Sequence, residues 1–426
     1  MQKFKEAFVL TLITPLFGLL YTVNSKRVKY RFGLLLLFTA FYGFTIYIDP
    51  AVDGYRAKES AITYYTDMST SDFVSLTKQI VTLQSPSWAY NDLYVHFLAF
   101  FLVKVLQLPI LYFPVVALVY GYFYFGTLLE VRRSVEGKAS QLFWLFFVSL
   151  LVWKSLEGMV TVRTYTGMWM LLYGYLKFQR TRKKRYLIFV LLPPFVHFGY
   201  FVMALPAYVA LLVGPRKILF SLLFAAAFLA PNQGNVLSGV INQTKLGEQK
   251  SRSYDVSTGS EIAMDIAKKQ NAEGKIFVAG FVRVQNHVLA LKAFLLVFLL
   301  LPHYRKHMLK AEASLLSAGL LGFALADLMS SVIAVHQRLN LVSSVFVLAA
   351  LALYFARTGA SHKQSLFASS NVPYLALFVA LTPLYIYFVL ANLVFIDFYM
   401  VLLPYVHFLG DDVGITIREV IRLFLF

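Results

Sequence analysis

Apolar residues form long continuous runs along this chain, and short polar stretches separate them. The runs recur from Ala7 to Leu390, and most are about 17–25 residues long, the length of helix that crosses a hydrocarbon core of roughly 30 Å. They are continuous, whereas the strands of a membrane β-barrel alternate in segments of about ten residues. Because backbone amides in lipid must be satisfied within the segment, the pattern predicts helices. We expect an all-α, polytopic integral membrane protein with about 10–12 transmembrane segments.

The composition agrees with this pattern. The chain is 59% hydrophobic and 14% charged, whereas soluble domains carry about 25% charged residues. The deficit extends over the whole chain, so we expect a single membrane domain over residues 1–426. Two polar stretches, 49–88 and 231–285, are predicted to be external loops. The absence of cysteine excludes disulfides and thiolate chemistry.

The formal charge of +18 reflects topology and does not indicate a nucleic-acid partner. Many basic residues fall in six short stretches between apolar runs, and short basic loops remain in the cytoplasm. These stretches are Asn24–Arg31, Glu130–Lys138, Lys177–Arg185, Gly214–Lys217, Pro302–Lys310 and Arg357–Lys363. The first apolar run, Ala7–Val23, is followed by such a loop and by no cleavage site. We therefore predict one retained crossing that leaves the N-terminus outside.

One segment is too short for the crossings that its flanks require. Tyr186–Val213 lies between two basic stretches, so it must go out and come back in two arms of about 14 residues, or roughly 21 Å each. The turn is predicted near Pro193, Pro194 and His197. Short helices at membrane depth occur only where they line a cavity or lie within protein.

Two other stretches also do not fit simple crossings of the membrane. The return arm of Ser140–Leu176, after Arg163, is predicted to be about 13 residues long, again short of a crossing. Glu157, Arg163 and His197 are therefore expected at the floor of one externally open cavity. Tyr90–Leu106 and Pro109–Leu129 resemble two helices. Together they join an external loop to a cytoplasmic one, which requires an odd number of crossings, so we predict that the first is partly re-entrant.

Ionisable residues inside apolar segments are rare and commonly functional. Arg163 either snorkels to the interface or binds an anion, since guanidinium stays charged and binds phosphate through two hydrogen bonds. His197 is either a packed histidine or a functional one. Asp327, His336 and Arg338 either cap the start of a helix or belong to a site.

The missing motifs limit the chemistry. HExxH, GxSxG, P-loop and zinc-ligand patterns are absent, which excludes the common metalloprotease, serine hydrolase and ATPase types. The cytoplasmic loops are too short for a nucleotide-binding domain. Any reaction must therefore use a substrate that is already activated and lies outside the membrane. A lipid-linked pyrophosphate sugar is such a substrate, because arginines can stabilise its departing pyrophosphate.

Four short motifs carry a family resemblance. Val160-Thr-Val-Arg-Thr-Tyr-Thr-Gly167, Lys183-Lys-Arg-Tyr186, Phe195-Val-His-Phe198 and Val335-His-Gln-Arg-Leu-Asn-Leu341 resemble those of the EpsG-like/Wzy-type polysaccharide polymerases. The chain departs from that family in its first external loop. Val52-Asp-Gly-Tyr-Arg56 stands where the family has Gly-Thr-Asp-x-x-x-Tyr, and Ala89-Tyr-Asn-Asp92 replaces an acidic-Pro-Gly-like helix start.

The resemblance implies a GT-C-like glycosyltransferase in a bacterial inner membrane, acting at the outer face without metal or cofactor. It would join oligosaccharide units carried on undecaprenyl pyrophosphate, with the lipid bilayer and a chain-length regulator as partners. Arg163 and Arg338 would hold the pyrophosphate, and His197 or His336 would act as base or orienter. The further residues expected to contact substrate are Asp53, Tyr55, Arg56, Glu157, Tyr165, Arg283 and Asp327.

Three other functions remain open. A purely structural membrane subunit would not need buried arginine and histidine facing a cavity. A ligase would move the glycan to a different acceptor. A flippase or transporter also uses broken helices and buried charge, but transporters often contain two related halves. The chain shows no such internal symmetry, which favours the enzyme.

Overall fold

A computed structural model describes residues 2–24, 30–46, 53–82, 84, 92–135, 139–230, 276–300, 307–330, 332–358, 372–395 and 400, with the backbone alone at 2, 3, 24, 53, 276–286, 333, 334 and 390–395. Within these ranges every regular element is a helix and none is a strand. The predicted all-α class is therefore confirmed for this part of the chain.

The chain forms eighteen α-helices within the described ranges. They are α1 Gln2–Ile13, α2 Pro15–Asn24, α3 Arg31–Thr45, α4 Asp53–Tyr65, α5 Thr70–Val81, α6 Leu93–Ala99, α7 Tyr112–Arg132, α8 Gln141–Trp153, α9 Thr164–Thr181, α10 Leu187–Leu191, α11 Pro193–Val196, α12 Tyr200–Met203, α13 Leu205–Val213, α14 Lys217–Leu229, α15 Ile276–Leu300, α16 Lys310–Leu328, α17 Ile333–Thr358 and α18 Val372–Phe395. A π-helical turn, Phe100–Val105, extends α6, and 3₁₀ turns occupy Pro109–Leu111, Leu156–Thr161 and Lys184–Tyr186.

Five helical segments in the described ranges are long and apolar enough to cross a membrane: Pro109–Arg132, Gln141–Thr161, Lys310–Leu328, Val335–Thr358 and Val372–Val389. Five shorter apolar helices accompany them: Arg31–Thr45, Leu93–Val105, Tyr200–Val213, Lys217–Leu229 and His287–Leu300. Length and composition thus define a helical protein suited to a bilayer. The finer prediction of about 10–12 crossings in a GT-C-like arrangement stays a prediction.

Helix α17 lies at the centre of the structure. In the apolar window of Val335–Thr358, 94% of the residues are buried by protein, against 22% for Val372–Val389, so α17 is enclosed and α18 is peripheral. α16 approaches α17 closely at Gly319 and Gly322, where a Cβ would collide with Val347 and Ser343. Small residues at such contacts let two helix backbones come together in a membrane protein.

The predicted first crossing, Ala7–Val23, is wrong. The chain breaks at Thr14 into α1 and α2, and the hydroxyl of Tyr21 donates to Glu6 Oε2 at 2.8 Å. Residues 15 apart on one straight helix would lie about 22 Å apart, so α1 and α2 form a hairpin. Pro15 causes the break, because it has no amide hydrogen for the preceding turn and suits the first position of a new helix. The predicted outside location of the N-terminus depended on that single crossing, so its side of the membrane is no longer predicted.

The break predicted near Pro193 and His197 is present. α11 ends at Val196, His197 has extended backbone, and α12 begins at Tyr200. The short return arm predicted after Arg163 is wrong, because α9 has 18 residues. It continues through the basic residues that the sequence assigned to a loop.

The stretch expected to be partly re-entrant is a short helix. Leu93–Val105 is apolar and falls below the 18 residues of a membrane-length helix. Its second half has π-helical geometry, which occurs mostly as local bulges within helices. The short length agrees with the prediction, and the depth of this helix in a bilayer stays a prediction.

Basic side chains meet two glutamates at one end of the helices. Glu130 binds Lys177, and it binds Arg133 at 2.8 Å and Arg180 at 2.9 Å. Glu312 binds Arg357 at 2.9 Å. Here we call Glu130, Arg133, Lys177, Arg180, Glu312 and Arg357 the basic end.

The two halves of the basic end are joined through α9 and α16. Gln179 donates to Ser314 Oγ at 2.9 Å, and the hydroxyl of Tyr175 lies 2.7 Å from the same atom. Three of the six basic stretches of the sequence, those beginning at residues 130, 177 and 357, therefore contribute side chains to one end, and Arg357 also donates to the backbone carbonyl of His307 in the stretch that begins at residue 302. A common cytoplasmic side predicts this arrangement.

Candidate functional site

A buried aspartate brings together three residues from distant parts of the chain. The carboxylate of Asp92 forms an ion pair with Arg163 and lies 3.3 Å from His197 Nδ1. It also accepts a hydrogen bond of 2.6 Å from the backbone amide of Phe198. The guanidinium of Arg338 lies 3.3 Å from His197 Nε2. We call Asp92, Arg163, His197 and Arg338 the Asp92 cluster.

Each member of the cluster lies at the end of a helix or at a break. Asp92 occupies the N-cap position of α6 but makes no side-chain cap, so its carboxylate is available to the cluster. Arg163 is the N-cap residue of α9, His197 lies between α11 and α12, and Arg338 lies near the start of α17. Helix ends are positions where side chains and backbone amides can converge without a continuous helix surface in the way.

The Asp92 cluster lies far from the basic end. α9 carries Arg163 at its start and Arg180 near its other end, 17 residues or about 26 Å along the axis. α17 carries Arg338 and Arg357, which are separated by about 28 Å. Two helices therefore present an arginine at both of their ends.

The backbone immediately before Arg163 is strained. Val162 has φ 57°, a region that β-branched residues avoid. Unfavourable backbone of this kind costs on the order of 1–3 kcal/mol and concentrates at functional sites. The turn from the 3₁₀ segment into α9 thus places Arg163 at an energetic cost.

The hydrogen bonds define the tautomer of His197. A guanidinium can only donate, so Nε2 accepts from Arg338 and Nδ1 donates to Asp92. Both ring nitrogens are therefore occupied in a neutral imidazole. Of the two predicted roles, base and orienter, this geometry favours the orienter, because the lone pair of His197 faces a guanidinium.

The two titratable groups of the cluster outside the membrane-length helices have shifted pKa values. Burial by itself would raise the pKa of Asp92, but the hydrogen bond from His197 and the charge of Arg163 hold it well below its usual range. Burial lowers the pKa of His197, and the charges of Arg163 and Arg338 lower it further against the opposing effect of Asp92. At neutral pH the cluster therefore contains an ionised carboxylate and a neutral imidazole.

His336 lies apart from these contacts. Its Nδ1 lies 2.7 Å from the carbonyl oxygen of Ala326, and its Nε2 lies 3.0 Å from the side-chain amide of Asn340. Because a carbonyl only accepts, Nδ1 carries the hydrogen and Nε2 accepts. His336 thereby links the end of α16 to the start of α17, and its predicted role in catalysis stays a prediction.

Glu157 and Tyr165 lie beside the Arg163 turn. Glu157 belongs to the 3₁₀ segment Leu156–Thr161 and accepts a hydrogen bond from the hydroxyl of Ser155. Tyr165 lies two residues after Arg163, and the ammonium group of Lys154 is 4.8 Å from its ring centroid. Lys154, Glu157 and Tyr165 all keep a partly accessible surface.

Asp327 belongs to a different ion pair. Its Oδ1 lies 2.5 Å from Lys292 Nζ, and both side chains are largely buried. The ammonium group also lies 5.2 Å from the ring centroid of Phe323. Lys292 joins α15 to α16, and Asp327 lies at the end of α16 next to the turn that leads to His336.

The residues predicted in the external loops are only partly described. Tyr55 is half-buried and Arg56 is exposed, both near the start of α4. At Gly54 this helix meets the carbonyl of Val160 so closely that no Cβ would fit, so α4 lies directly against the 3₁₀ segment of Glu157. The side chains of Asp53 and Arg283 lie outside the described residues.

Sequence reasoning missed two residues that organise these sites. The sequence analysis does not assign Asp92 to a site, yet its place directly before an apolar helix, with a histidine and two arginines beside other apolar segments, is a usable signal. Lys292 was a lone lysine within an apolar run. Such a residue indicates a buried partner, which is Asp327.

Within the described ranges, no group of three His, Asp or Glu side chains comes together as a metal site requires. Comparisons with family models, with curated proteins and with solved structures find no match to this chain.

Proposed function

We propose that this protein is a membrane polysaccharide polymerase that joins lipid-linked oligosaccharide units. The observation that carries the proposal is the convergence of three motif residues. Arg163, His197 and Arg338 belong to three separate motifs of the polymerase resemblance. Arg163 and His197 meet at Asp92, and Arg338 contacts His197. Residues separated by 34 and 141 positions would not be expected to meet if their motifs were unrelated apolar segments.

The chemistry of the cluster suits a pyrophosphate. Guanidinium groups bind phosphate oxygens through paired hydrogen bonds, and two of them flank one buried imidazole. Arg163 is 24% accessible whereas Asp92 is 2% accessible, so Asp92 supports the arginine from the protein side while part of the guanidinium can contact a ligand. The N-terminus of α9 adds backbone amides and the positive end of a helix dipole.

In the proposed reaction, a hydroxyl oxygen of one lipid-linked unit attacks the anomeric carbon of the growing chain. The carbon–oxygen bond to the pyrophosphate breaks, and the pyrophosphate leaves with the electron pair. Arg163 and Arg338 stabilise the charge that develops on the leaving group. His197 and Asp92 position the two arginines and do not react.

Arg163→Lys and Arg338→Lys test this proposal. Each keeps the charge but loses the planar fork, and loss of one such contact typically lowers a rate about 10²–10³-fold. Cells that carry either variant in place of the wild type are expected to display single glycan units and no ladder of longer chains. The measurement is gel separation of surface glycan, with membrane levels of each variant checked by immunoblot.

Arg180→Lys is the matched control, because Arg180 lies on the same helix as Arg163 but at the basic end, and it should keep a full ladder. Long ladders in both test variants would overturn the catalytic role of the arginines. Loss of single units as well would favour the flippase. Single units attached to a different acceptor would favour the ligase.

A further inference from the structure

Lys154 and Glu157 are two charged residues in the protein interior that do not contact each other. They lie three residues apart at the turn between α8 and α9, within range of each other's charge. Neither forms a direct ion pair, although both belong to the described part of the chain. The ammonium group lies over the Tyr165 ring, and the carboxylate is held by Ser155.

The buried carboxylates elsewhere in the described structure behave differently. Asp92, Glu130, Glu312 and Asp327 each contact a cation directly. Separated charges in an apolar protein interior are expensive unless something polar lies between or beside them. Lys154 and Glu157 nevertheless stay apart and partly accessible, so neither charge has a direct counter-ion among the described residues and a polar ligand can reach both.

The surroundings are rich in tyrosine. Tyr165 and Tyr387 are partly accessible tyrosines near these two charges, and the buried Tyr120 fixes the turn by donating to the carbonyls of Lys154 and Ser155. An aromatic face, a carboxylate that accepts hydrogen bonds and an ammonium that donates them are complementary to the ring face and hydroxyls of a sugar. Binding sites commonly combine an apolar aromatic wall with a few placed polar groups.

Tyr165 connects these residues to the Asp92 cluster. It follows Arg163 by two residues on α9, and the hydroxyl of Tyr200 donates to the carbonyl of Thr164 between them at 2.6 Å. The ring of Tyr200 is 6.3 Å from that of His197. A ligand that reaches from Lys154 and Glu157 past Tyr165 therefore arrives at the residues that we propose to hold pyrophosphate.

We propose that Lys154, Glu157 and Tyr165 form the site of the acceptor sugar, and that Glu157 takes the proton of the attacking hydroxyl. This inference rests on the proposed polymerase function. As the hydroxyl oxygen bonds to the anomeric carbon, its proton moves to the Glu157 carboxylate, and the electron pair of the broken bond leaves on the pyrophosphate. His197 and His336 have both ring nitrogens occupied, whereas Glu157 is a carboxylate without a bound cation.

The experiment uses the full-length protein in lipid nanodiscs, with lipid-linked repeat units extracted from cells that lack it. The initial rate of chain extension is measured for wild type and for Glu157→Gln. A general base typically contributes about 10²–10⁴-fold to a rate, so we expect a decrease in that range. Binding of undecaprenyl pyrophosphate, used as the probe of the arginine site, should stay within about twofold, because the Asp92 cluster is intact.

Chemical rescue distinguishes a base from a structural group. Adding formate should raise the extension rate of Glu157→Ala, and Glu157→Asp should keep more activity than Glu157→Gln. Glu59→Gln, at an exposed site on α4, is the matched control and should extend at the wild-type rate. The thermal midpoint of each variant is measured in the same nanodiscs to separate loss of chemistry from loss of folding.

The outcomes separate the two proposals. Extension by Glu157→Gln at the wild-type rate, or failure of formate to rescue a folded Glu157→Ala, would overturn the role of Glu157 and leave the polymerase intact. Failure of wild-type protein to extend any chain would overturn the polymerase and this inference with it. Weakened binding of the pyrophosphate probe by Glu157→Gln would show that Glu157 supports the arginine site and is not the acceptor base.

Discussion

The basic end and the Asp92 cluster are both carboxylates surrounded by cations, but they are built in opposite ways. Glu130 lies in the last turn of α7 and receives Lys177 and Arg180 from the end of α9 and Arg133 from the residue that follows α7. Arg133 and Arg180 are 60% and 50% accessible. Asp92 receives its partners from breaks between helices, and its partner Arg163 is 24% accessible. The first is an anchor at the protein surface, and the second is an enclosed site.

The dipole of α9 favours the cations of the basic end and opposes the arginine of the Asp92 cluster. Cations at helix C-termini are favoured by the dipole, so Lys177 and Arg180 stabilise the end of α9. Arg163 lies at the N-terminus of the same helix, where a cation is unfavourable. A partly buried charge that opposes the dipole and follows the strained Val162 is unfavourable for stability, and it fits the role that we propose for Arg163 in binding an anion.

Thiol labelling provides the largest, all-or-none test of this contrast. The chain has no cysteine, so each single-cysteine variant carries one thiol. Cysteines at Ser134, Thr181 and His303 should resist an impermeant thiol reagent in intact cells, because short basic stretches are expected to stay in the cytoplasm. Ser134 and Thr181 follow Arg133 and Arg180 of the basic end directly, and His303 lies outside the described residues. A cysteine at Ser257 should react. Labelling at Thr181 from outside would reverse the assignment of the two ends.

Replacing the carboxylate of Asp92 should lower the free energy of unfolding more than replacing that of Glu130. Asp92→Asn leaves buried cationic and donor groups without their anion, which typically costs about 3–5 kcal/mol. Glu130→Gln should cost on the order of 1 kcal/mol, because two of its three partners, Arg133 and Arg180, are exposed and can turn to water. Thermal unfolding in detergent measures the difference. Equal losses would mean that the Asp92 cluster is an ordinary structural ion pair.

The smallest expected effect concerns pH. The pKa of His197 is lowered in the folded protein, so the unfolded chain binds its proton first as pH falls below about 6.5. Stability contributed at this position is therefore present above that pH and is lost on acidification, by at most about 1.4 kcal/mol per pH unit. His197→Gln should reduce the decrease in thermal midpoint between pH 7 and pH 5. Glu130→Gln is the comparison and should keep the wild-type decrease.

The sequence by itself determined the helical class, the basic end and the break at His197. Each of these follows from local rules: apolar length, basic residues beside apolar runs, and consecutive prolines that cannot continue a helix. The hairpin at Pro15 was available from the same rules and was missed, because the apolar run around it looked long enough to cross.

Only the tertiary structure decided which charged residues meet. Asp92 lies 71 residues from Arg163 and 105 from His197, and Lys292 lies 35 from Asp327. The periodicity of apolar residues does not predict such pairings, because the residues lie at helix ends, where the chain direction is set by neighbouring helices. The separation of Lys154 from Glu157 is of the same kind, since three residues of sequence permit contact and only the turn between α8 and α9 prevents it.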